Sequence, residues 1–301
     1  MSNPSTVPVS IIVHTKNSAT TLERCLASLP QAAELLVVDM ASTDETLLIA
    51  RRFHARTLSV ADVGYVEPAR AVAIDSVTQP WVLIVDADEE MPKAAGEWLS
   101  DLLRKNEHQV FALPRRNTIF GRPMKYTGWW PDYQVRLFQK GAVVWPETIH
   151  AQPICEQEPV KLPATDDYAL IHHNYQHIDQ FIDRMNRYTS IEAQGKRLSK
   201  EDEWLSLQSG ELFSRLSARK GWKDGEQGLA ASLLQSYYPL VSALKRWEAE
   251  GFPTADDFES SLDHQLATLH KEISYWRATY RIEHLSGLLK IYWQIRRKMQ
   301  L

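Results

Sequence analysis

The chain has 301 residues, of which 44% are hydrophobic and 24% are charged, a composition typical of a folded protein with one large domain or two modest ones. The formal net charge of −4 argues against a dedicated nucleic-acid-binding protein, because such proteins usually carry a net basic surface. Cys25 and Cys155 form neither a metal-binding spacing nor a disulfide framework, which fits a reducing cytoplasm. Residues 1–8 carry no secretion signal and no run of ~20 apolar residues occurs, so we expect a cytoplasmic protein without a clear membrane span.

Strands and helices alternate at short intervals through the first part of the chain. Apolar runs rich in β-branched residues predict strands at 9–13, 34–39, 56–60 and 81–85. Helical spacing of apolar residues predicts helices at 20–29, 42–53 and 68–77, and Ser42-Thr-Asp-Glu45 has the form of a capping box. This alternation is typical of a parallel sheet covered by helices on both faces, which binds ligands at the carboxyl ends of its strands.

The pattern changes after Asp88. Strands are predicted at 109–113, 133–138 and 168–172, and the sequence is mostly helical from Asp179 onward. A near-heptad series predicts one long helix with an apolar seam formed by Leu262, Leu266, Leu269, Ile273, Trp276 and Tyr280. We therefore predict an α/β domain over residues 1–178 and a helical region over residues 179–301.

Two carboxylates, Asp86 and Asp88, follow the fourth predicted strand with Ala87 between them. Divalent cations such as Mg²⁺ and Mn²⁺ take oxygen ligands and share them with substrate phosphates. Such a cation stabilises a nucleoside diphosphate as it leaves. His150 is a candidate for completing the metal shell, although a hydrogen-bonded structural histidine is its commoner role. The structural alternative for Asp86 and Asp88 is a solvated turn that carries two acidic residues. The polar residues at the ends of two further strands favour the metal site.

Polar residues also follow the first two strands. Thr15 and Asn17 can present hydrogen-bond donors to a nucleotide, and Asp39 can accept hydrogen bonds from a base or a ribose. Arg70, on the third predicted helix, can neutralise a phosphate. Each residue also has an ordinary structural alternative: a capping turn for the first two, a strand-end turn for Asp39 and an exposed helical arginine for Arg70.

Several of these segments resemble those of a known family. The early ones are His14-Thr-Lys-Asn17, Val37-Val-Asp-Met-Ala-Ser-Thr-Asp44 and Trp81-Val-Leu-Ile-Val-Asp-Ala-Asp-Glu89. They resemble the donor-binding half of family 2 glycosyltransferases with the GT-A fold, and within that family the lipopolysaccharide core β-glucosyltransferase type. The later ones resemble motifs of that subgroup: Gly128-Trp-Trp-Pro-Asp-Tyr-Gln-Val-Arg-Leu-Phe138, Ile171-His-His-Asn-Tyr175, Arg187-Tyr-Thr-Ser-Ile-Glu-Ala193 and Lys220-Gly-Trp-Lys-Asp-Gly-Glu-Gln-Gly-Leu229.

The resemblance implies a Rossmann-like nucleotide-binding sheet with helices on both faces, so that residues 1–178 form the donor-binding and catalytic domain. The mostly helical C-terminal region, residues 179–301, is then expected to contact an acceptor, a membrane or a second copy. It implies that Thr15, Asn17 and Asp39 hold the nucleotide of a sugar donor, expected to be a UDP-sugar. Asp88 is then the main metal ligand and Asp86 lies near the ribose, with Ala87 beside the donor. Transfer of a hexose with inversion, by direct displacement, is implied as well. The chain departs from the family pattern at Ser18, Ala19, Ala41, Glu45 and Ala71.

An inverting transfer needs a base that removes the proton of the acceptor hydroxyl. Asp132 is the first candidate, because Trp129 and Trp130 lie just before it and can stack on an acceptor sugar. We expect the exclusion of water there to raise the pKa of Asp132. Glu147 is the second candidate, and Arg136 is a further candidate for contact with the acceptor. A turn acid beside a proline is the structural alternative for Asp132.

The last fifteen residues carry four basic side chains and no acidic one. Apolar residues of this segment share one helical face, so the segment resembles a surface helix on anionic lipid. A terminal helix packed on its own domain or on a second copy, as in a homodimer, is the alternative. The first functional hypothesis is therefore transfer to a glycan or lipid-linked glycan, in cell-envelope polysaccharide synthesis, at the inner face of the cytoplasmic membrane. The alternatives are a soluble or peptide acceptor and a nucleotide-binding scaffold without catalysis.

Overall fold

The structure, a computed structural model, describes residues 6–146, 152–194, 203–254 and 257–299. The chain divides into two compact units. The first comprises Met1–Thr118 and Trp130–Asn174, and the second comprises Ile119–Trp129 and Tyr175–Leu301. Residues 119–129 fall within the predicted domain 1–178, and they group with the helical region in the structure.

The strands are β1 (Val7–Thr15), β2 (Ala32–Asp39), β3 (Arg56–Ser59), β4 (Trp81–Asp86), β5 (Glu89–Glu90), β6 (Val110–Ile119), β7 (Arg122–Pro123), β8 (Asp132–Gln139), β9 (Val143–Val144), β10 (Ile154–Cys155), β11 (Val160–Lys161) and β12 (Leu170–Tyr175). The helices are α1 (Leu22–Ser28), α2 (Thr46–Arg52), α3 (Glu67–Ser76), α4 (Ala95–Lys105), α5 (Ile178–Ala193), α6 (Trp204–Phe213), α7 (Gly225–Ala249), α8 (Phe258–His284) and α9 (Gly287–Met299).

The main sheet has the strand order β3-β2-β1-β4-β8-β6-β12-β5. The four strands from β3 to β4 are mutually parallel, as the strand–helix alternation predicts. β8 runs antiparallel to both β4 and β6, so the sheet is mixed beyond β4. The predicted α/β class is confirmed. The antiparallel strands belong to the same sheet as the parallel ones.

Both faces of the sheet are buried, which explains the unbroken apolar runs of its central strands. Ile11 and Val13 of β1 pack into one cluster with residues of α1, α2 and α4. Ile12, which points to the opposite face, packs into a second cluster with residues of α3. The two hydrophobic clusters therefore hold the central strands from both faces of the sheet.

The helix α2 begins later than the capping box predicts. Glu45 is its N-cap and makes no side-chain capping hydrogen bond. The hydroxyl of Ser42 instead accepts a hydrogen bond from the backbone N–H of Asn17 (2.8 Å). The predicted capping box is wrong, because its serine joins the loop after β2 to the loop after β1.

The second unit is mainly helical. The carboxylate of Asp224 accepts hydrogen bonds from the backbone N–H groups of Lys125 (3.1 Å) and Tyr126 (2.8 Å), which ties the 119–129 segment to this unit. A β-carbon on Gly228 would lie 1.9 Å from the carbonyl oxygen of Gly221, so the backbones meet where only glycine fits. Among the described residues, no helix combines the length and apolar character needed to cross a bilayer.

Candidate functional site

The carboxyl ends of three parallel strands meet at one edge of the sheet in the first unit. Thr15 of β1 is level with Asp39 of β2, and His14 of β1 is level with Asp86 of β4. The polar strand ends identified in the sequence therefore form one continuous edge, as parallel pairing requires.

The loops after β1 and β2 are joined by hydrogen bonds. The carboxylate of buried Asp39 accepts from the backbone N–H of Ser42 (3.1 Å), and the Thr15 hydroxyl lies 3.4 Å from its other oxygen. The side-chain oxygen of Asn17 accepts from the backbone N–H of Thr43 (2.8 Å). These three predicted nucleotide-binding residues therefore also shape the two loops that border the edge.

Asp86 lies between two guanidinium groups. Its Oδ2 is 2.5 Å from Nη2 of Arg136, and its Oδ1 is 3.4 Å from Nη2 of Arg70. Burial by itself raises the pKa of Asp86, but the charges of Arg136 and then Arg70 outweigh it and hold the pKa well below the usual carboxyl range. Asp86 is consequently an anion whose two oxygens face arginines, and this differs from the predicted role as a metal ligand.

Arg136 also lies elsewhere than predicted. Its side chain is 2% exposed, and Nη2 is 2.6 Å from Oε1 of the fully buried Glu89. The guanidinium thus neutralises Asp86 and Glu89 together beneath the site. The expected contact of Arg136 with an acceptor does not fit this burial, because no ligand can reach the group directly.

Asp132, the predicted base, begins β8 opposite Arg115 of β6. Its Oδ2 accepts from Nε (2.8 Å) and Nη2 (2.7 Å) of Arg115 and from Nδ2 of Asn117 (3.0 Å), and its Oδ1 accepts from Gln134 (2.7 Å). Burial raises the pKa of Asp132, whereas the charge of Arg115 and these hydrogen bonds lower it. The lowering is the larger effect, so the pKa lies below its ordinary value. The expected upward shift is wrong, since the arginine outweighs the exclusion of water.

His172 of β12 is held in one orientation by this network. The ionised Asp132 only accepts hydrogen bonds, so the amide nitrogen of Asn117 faces it and the amide oxygen faces His172. Nδ1 of His172 lies 2.6 Å from that oxygen and donates to it. The other ring nitrogen, Nε2, lies 3.4 Å from Oδ2 of Asp88.

The Asp88–His172 pair is the arrangement at this edge that could hold a metal cation. A carboxylate oxygen and an imidazole nitrogen 3.4 Å apart are drawn together by a proton or a cation that lies between them. A histidine that ligates a metal through one ring nitrogen donates from the other, as Nδ1 of His172 does to Asn117. The described parts of the chain contain no group of three or more His, Cys, Asp or Glu side chains placed to hold a metal. A cation on Asp88 and His172 would therefore need phosphate and water oxygens at its remaining positions, as is common for Mg²⁺.

Comparison with known proteins decides the family. The model of glycosyl transferase family 2 matches residues 10–160. The chain belongs to glycosyl transferase family 2. It is 26% identical over 281 residues to the lipopolysaccharide core biosynthesis glycosyltransferase LpsC of Rhizobium meliloti (strain 1021), covering 86% of this chain and 98% of that protein. It is 27% identical to an uncharacterised glycosyltransferase of Rickettsia bellii (strain RML369-C), covering 66% and 72% of the two chains.

Two solved structures resemble this glycosyltransferase at low scores. Staphylococcus aureus TarS 1–349 in complex with UDP has a TM-score of 0.44 at 16% identity, over 97% of this chain and 88% of that one. Glucosyl-3-phosphoglycerate synthase from Mycobacterium tuberculosis, in complex with Mn²⁺, UDP and glucosyl-3-phosphoglycerate, has a TM-score of 0.31 at 23% identity. The latter match covers 38% of this chain and 44% of that chain.

Two of the remaining predicted site residues of the glycosyltransferase, Ala87 and Arg70, lie beside Asp86. Ala87 is buried beside Asp86, and the Arg70 guanidinium lies 4.9 Å over the ring of Trp145. Trp130 belongs to the first unit and Trp129 to the second. Each ring stacks with an arginine of its own unit, Arg116 for Trp130 and Arg215 for Trp129. Glu147 and His150 lie outside the described residues.

The residues that connect these groups were not among the predicted site residues. Arg115 and Asn117 share one face of β6 and follow the apolar first half of that strand, and this i, i+2 pair of polar residues was the available signal. Glu89 directly follows the recognised acidic pair and is fully buried. His172 and His173 are adjacent on β12, so their side chains lie on opposite faces of the strand. The first faces Asp88, whereas His173 faces Glu90, with Nε2 2.5 Å from Oε1.

Proposed function

We propose that this glycosyltransferase transfers a hexose, with inversion, from a nucleoside diphosphate sugar to a hydroxyl of a glycan or lipid-linked glycan in cell-envelope polysaccharide synthesis. The observation that carries the proposal is the Asp88–His172 pair, whose Oδ2 and Nε2 atoms are 3.4 Å apart at the strand-end edge. The similarity to a lipopolysaccharide core biosynthesis glycosyltransferase over 86% of the chain supports the acceptor class. A UDP-sugar is the first donor to be tested.

The loops after β1 and β2 hold the nucleoside in this proposal. The carboxylate of Asp39 has acceptor capacity beyond its hydrogen bond from Ser42, because an ionised carboxylate offers about four lone-pair sites. Thr15 and Asn17 fix the spacing between the two loops. Arg70, at 13% exposure and 3.4 Å from Asp86, adds positive charge towards the diphosphate.

Asp88 and His172 would hold a divalent cation together with the diphosphate of the donor. When bound, the cation supplies positive charge that stabilises the nucleoside diphosphate leaving group. Asn117 keeps the lone pair of His172 directed at this position through its hydrogen bond to Nδ1. Arg136 and Arg70 balance the charge of Asp86, so the buried floor of the site stays ionised without a further ligand.

Asp132 is the proposed base. Its lowered pKa keeps the carboxylate ionised at neutral pH, and Oδ1 makes a single side-chain hydrogen bond, to Gln134, among the contacts that define this group. The oxygen of the acceptor hydroxyl forms a bond to the anomeric carbon as the bond from that carbon to the diphosphate oxygen breaks. The hydroxyl proton passes to Oδ1 of Asp132, and the bond electrons leave with the diphosphate. Glu147 is the second candidate base.

A panel of nucleoside diphosphate sugars, each with Mg²⁺ or Mn²⁺, tests this function by thermal shift and by slow hydrolysis of the donor. We expect one nucleotide to stabilise the protein in a cation-dependent manner and to be hydrolysed slowly. Asp88→Ala should lose the cation dependence while keeping the fold. The matched control is Asp101→Ala, which removes an exposed helical carboxylate paired with Arg104.

Three outcomes would contradict parts of this proposal. Full activity in a chelator, or unchanged activity of Asp88→Ala, removes the metal assignment. Stabilisation by a nucleotide without any turnover, with or without acceptor, leaves a nucleotide-binding scaffold. A panel in which no nucleotide sugar stabilises the protein or is hydrolysed removes the donor site altogether.

A further inference from the structure

The helix α9 presents an apolar face to solvent. Five of its side chains, which are 50–84% exposed, are Leu288, Ile291, Tyr292, Ile295 and Met299. At 3.6 residues per turn these side chains lie within an arc of about 100°. Such an arc has the width of a helix face that is normally buried.

The opposite side of α9 already has a partner. Arg297 is hydrogen-bonded to the hydroxyl of Thr279 of α8 (3.4 Å) and lies 5.7 Å from the ring of Tyr275. The guanidinium of Arg277 of α8 lies 5.7 Å from the ring of Trp293. The helix is therefore anchored on α8 through Trp293 and Arg297, and the apolar arc faces away from that contact.

The charges on α9 select an anionic partner. The helix carries Lys290, Arg296, Arg297 and Lys298 and no acidic residue. Arg296 and Lys298 flank the apolar arc on its two sides, since their helical positions fall just outside it. A second copy packed arc to arc would bring these basic residues towards their equivalents without an acid on either helix to pair with them. A lipid surface with anionic headgroups accepts the apolar arc and both flanking charges at once.

We propose that α9 binds an anionic membrane surface, with its apolar arc in the acyl region and Arg296 and Lys298 among the phosphates. Binding itself is independent of the transfer reaction. Membrane binding also narrows the acceptor class to a glycan carried by a membrane lipid, and this part of the inference rests on the proposed function.

Vesicle co-sedimentation of the full chain, without donor or acceptor, tests this proposal. The vesicles contain phosphatidylglycerol and phosphatidylcholine, and pure phosphatidylcholine is the neutral comparison. Ile291→Asp with Ile295→Asp should weaken binding to anionic vesicles by roughly 100-fold, because two apolar side chains leave the bilayer. The control, Leu48→Asp with Leu266→Asp, changes the net charge equally at side chains 57% and 48% exposed on α2 and α8, and should bind as wild type.

A second pair of variants removes the flanking charges and leaves all five side chains of the apolar arc in place. Arg296→Gln and Lys298→Gln should each weaken binding to anionic vesicles about fivefold and leave binding to neutral vesicles unchanged. Added salt should weaken the binding of the wild type more than that of the double variant. If the aspartate variants fail to fold, as judged by their thermal midpoint, this pair alone tests whether α9 binds anionic vesicles.

The proposal is overturned if the wild type does not bind anionic vesicles, or if binding ignores both pairs of substitutions. It is also overturned if the arc variants leave vesicle binding intact and instead dissociate a dimer in analytical ultracentrifugation, which would make a second copy the partner. Donor hydrolysis is measured separately in the absence of vesicles. Its loss in the wild type contradicts the transfer function and leaves membrane binding untouched.

Discussion

Replacing Arg136 by methionine probes the buried charges beneath the site. The guanidinium is 2% exposed and lies 2.5 Å from Asp86 and 2.6 Å from Glu89. Methionine keeps an unbranched apolar stem in place of the arginine stem and carries no charge, so both carboxylates lose their shared cation. The variant therefore measures the electrostatic contribution of Arg136 to folding.

The remaining arginines set the size of the effect. Removing one partner of a buried ion pair costs about 3–5 kcal/mol, because the other charge stays buried. Arg115 remains 3.4 Å from Glu89 and Arg70 remains 3.4 Å from Asp86, so we expect the lower limit, about 3 kcal/mol. For a domain of this size that corresponds to a fall in Tm of roughly 6–12 °C.

The pH dependence of this loss has a definite sign. The pKa of Asp86 is held well below its usual range in the folded state, against its own burial, mainly by Arg136. A carboxyl with a depressed folded pKa stabilises the fold above its unfolded pKa of about 4 and loses that contribution as the pH falls further. Removing Arg136 raises the folded pKa of Asp86, so the stability difference between wild type and variant should shrink below about pH 4.

Urea unfolding at several pH values gives the free energies of unfolding. The control is Arg104→Met, which removes an exposed ion pair with Asp101 and should cost no more than about 1 kcal/mol. Arg136→Met combined with Glu89→Gln should be less destabilised than the sum of the single variants by about 1–3 kcal/mol. Additive losses, or a deficit that grows as the pH falls, would refute the role of Arg136 as a shared counter-ion.

Three further predictions concern the site itself. Asp39→Ala should weaken binding of the free nucleoside diphosphate by roughly 1–3 kcal/mol in calorimetry, and equal affinity would leave Asp39 as a loop residue only. Asp132→Asn should keep donor affinity and lower kcat by roughly 10²–10⁴-fold. Because the pKa of Asp132 lies below its ordinary value, wild-type kcat should not decline with falling pH until below about pH 4, and a normal kcat in the variant would exclude it as the base. Asn117→Leu should weaken cation affinity roughly 10–100-fold through the His172 tautomer, and a cation titration identical to wild type would contradict that coupling.

The parallel half of the sheet was predictable because its strands are short apolar runs that end in polar residues. The run before Asp86 is buried on both faces in the structure, which is why the sequence shows no alternation there. The common edge of Thr15, Asp39 and Asp86 followed from the rule that parallel strands end together. These local patterns sufficed for the fold class and the family.

The partners of each carboxylate were not predictable from the same patterns. Asp86 was expected to bind a metal, yet Arg136, fifty residues later in the chain, reaches it across the sheet. The pKa of Asp132 depends on Arg115, its cross-strand neighbour, and strand register is not visible in a single sequence. His172 reaches Asp88 for the same reason. Long-range pairing therefore decides which side chains meet, whereas periodicity decides only which face they occupy.

The position of the divalent cation is the central claim, and anomalous scattering from manganese tests it most directly. A crystal of the protein with a nucleoside diphosphate and Mn²⁺ should show one anomalous peak between Oδ2 of Asp88 and Nε2 of His172, next to the diphosphate. The same crystal grown with Asp88→Ala should lose the peak. A bound diphosphate with the manganese peak elsewhere, or with no peak near these two atoms, would contradict the account.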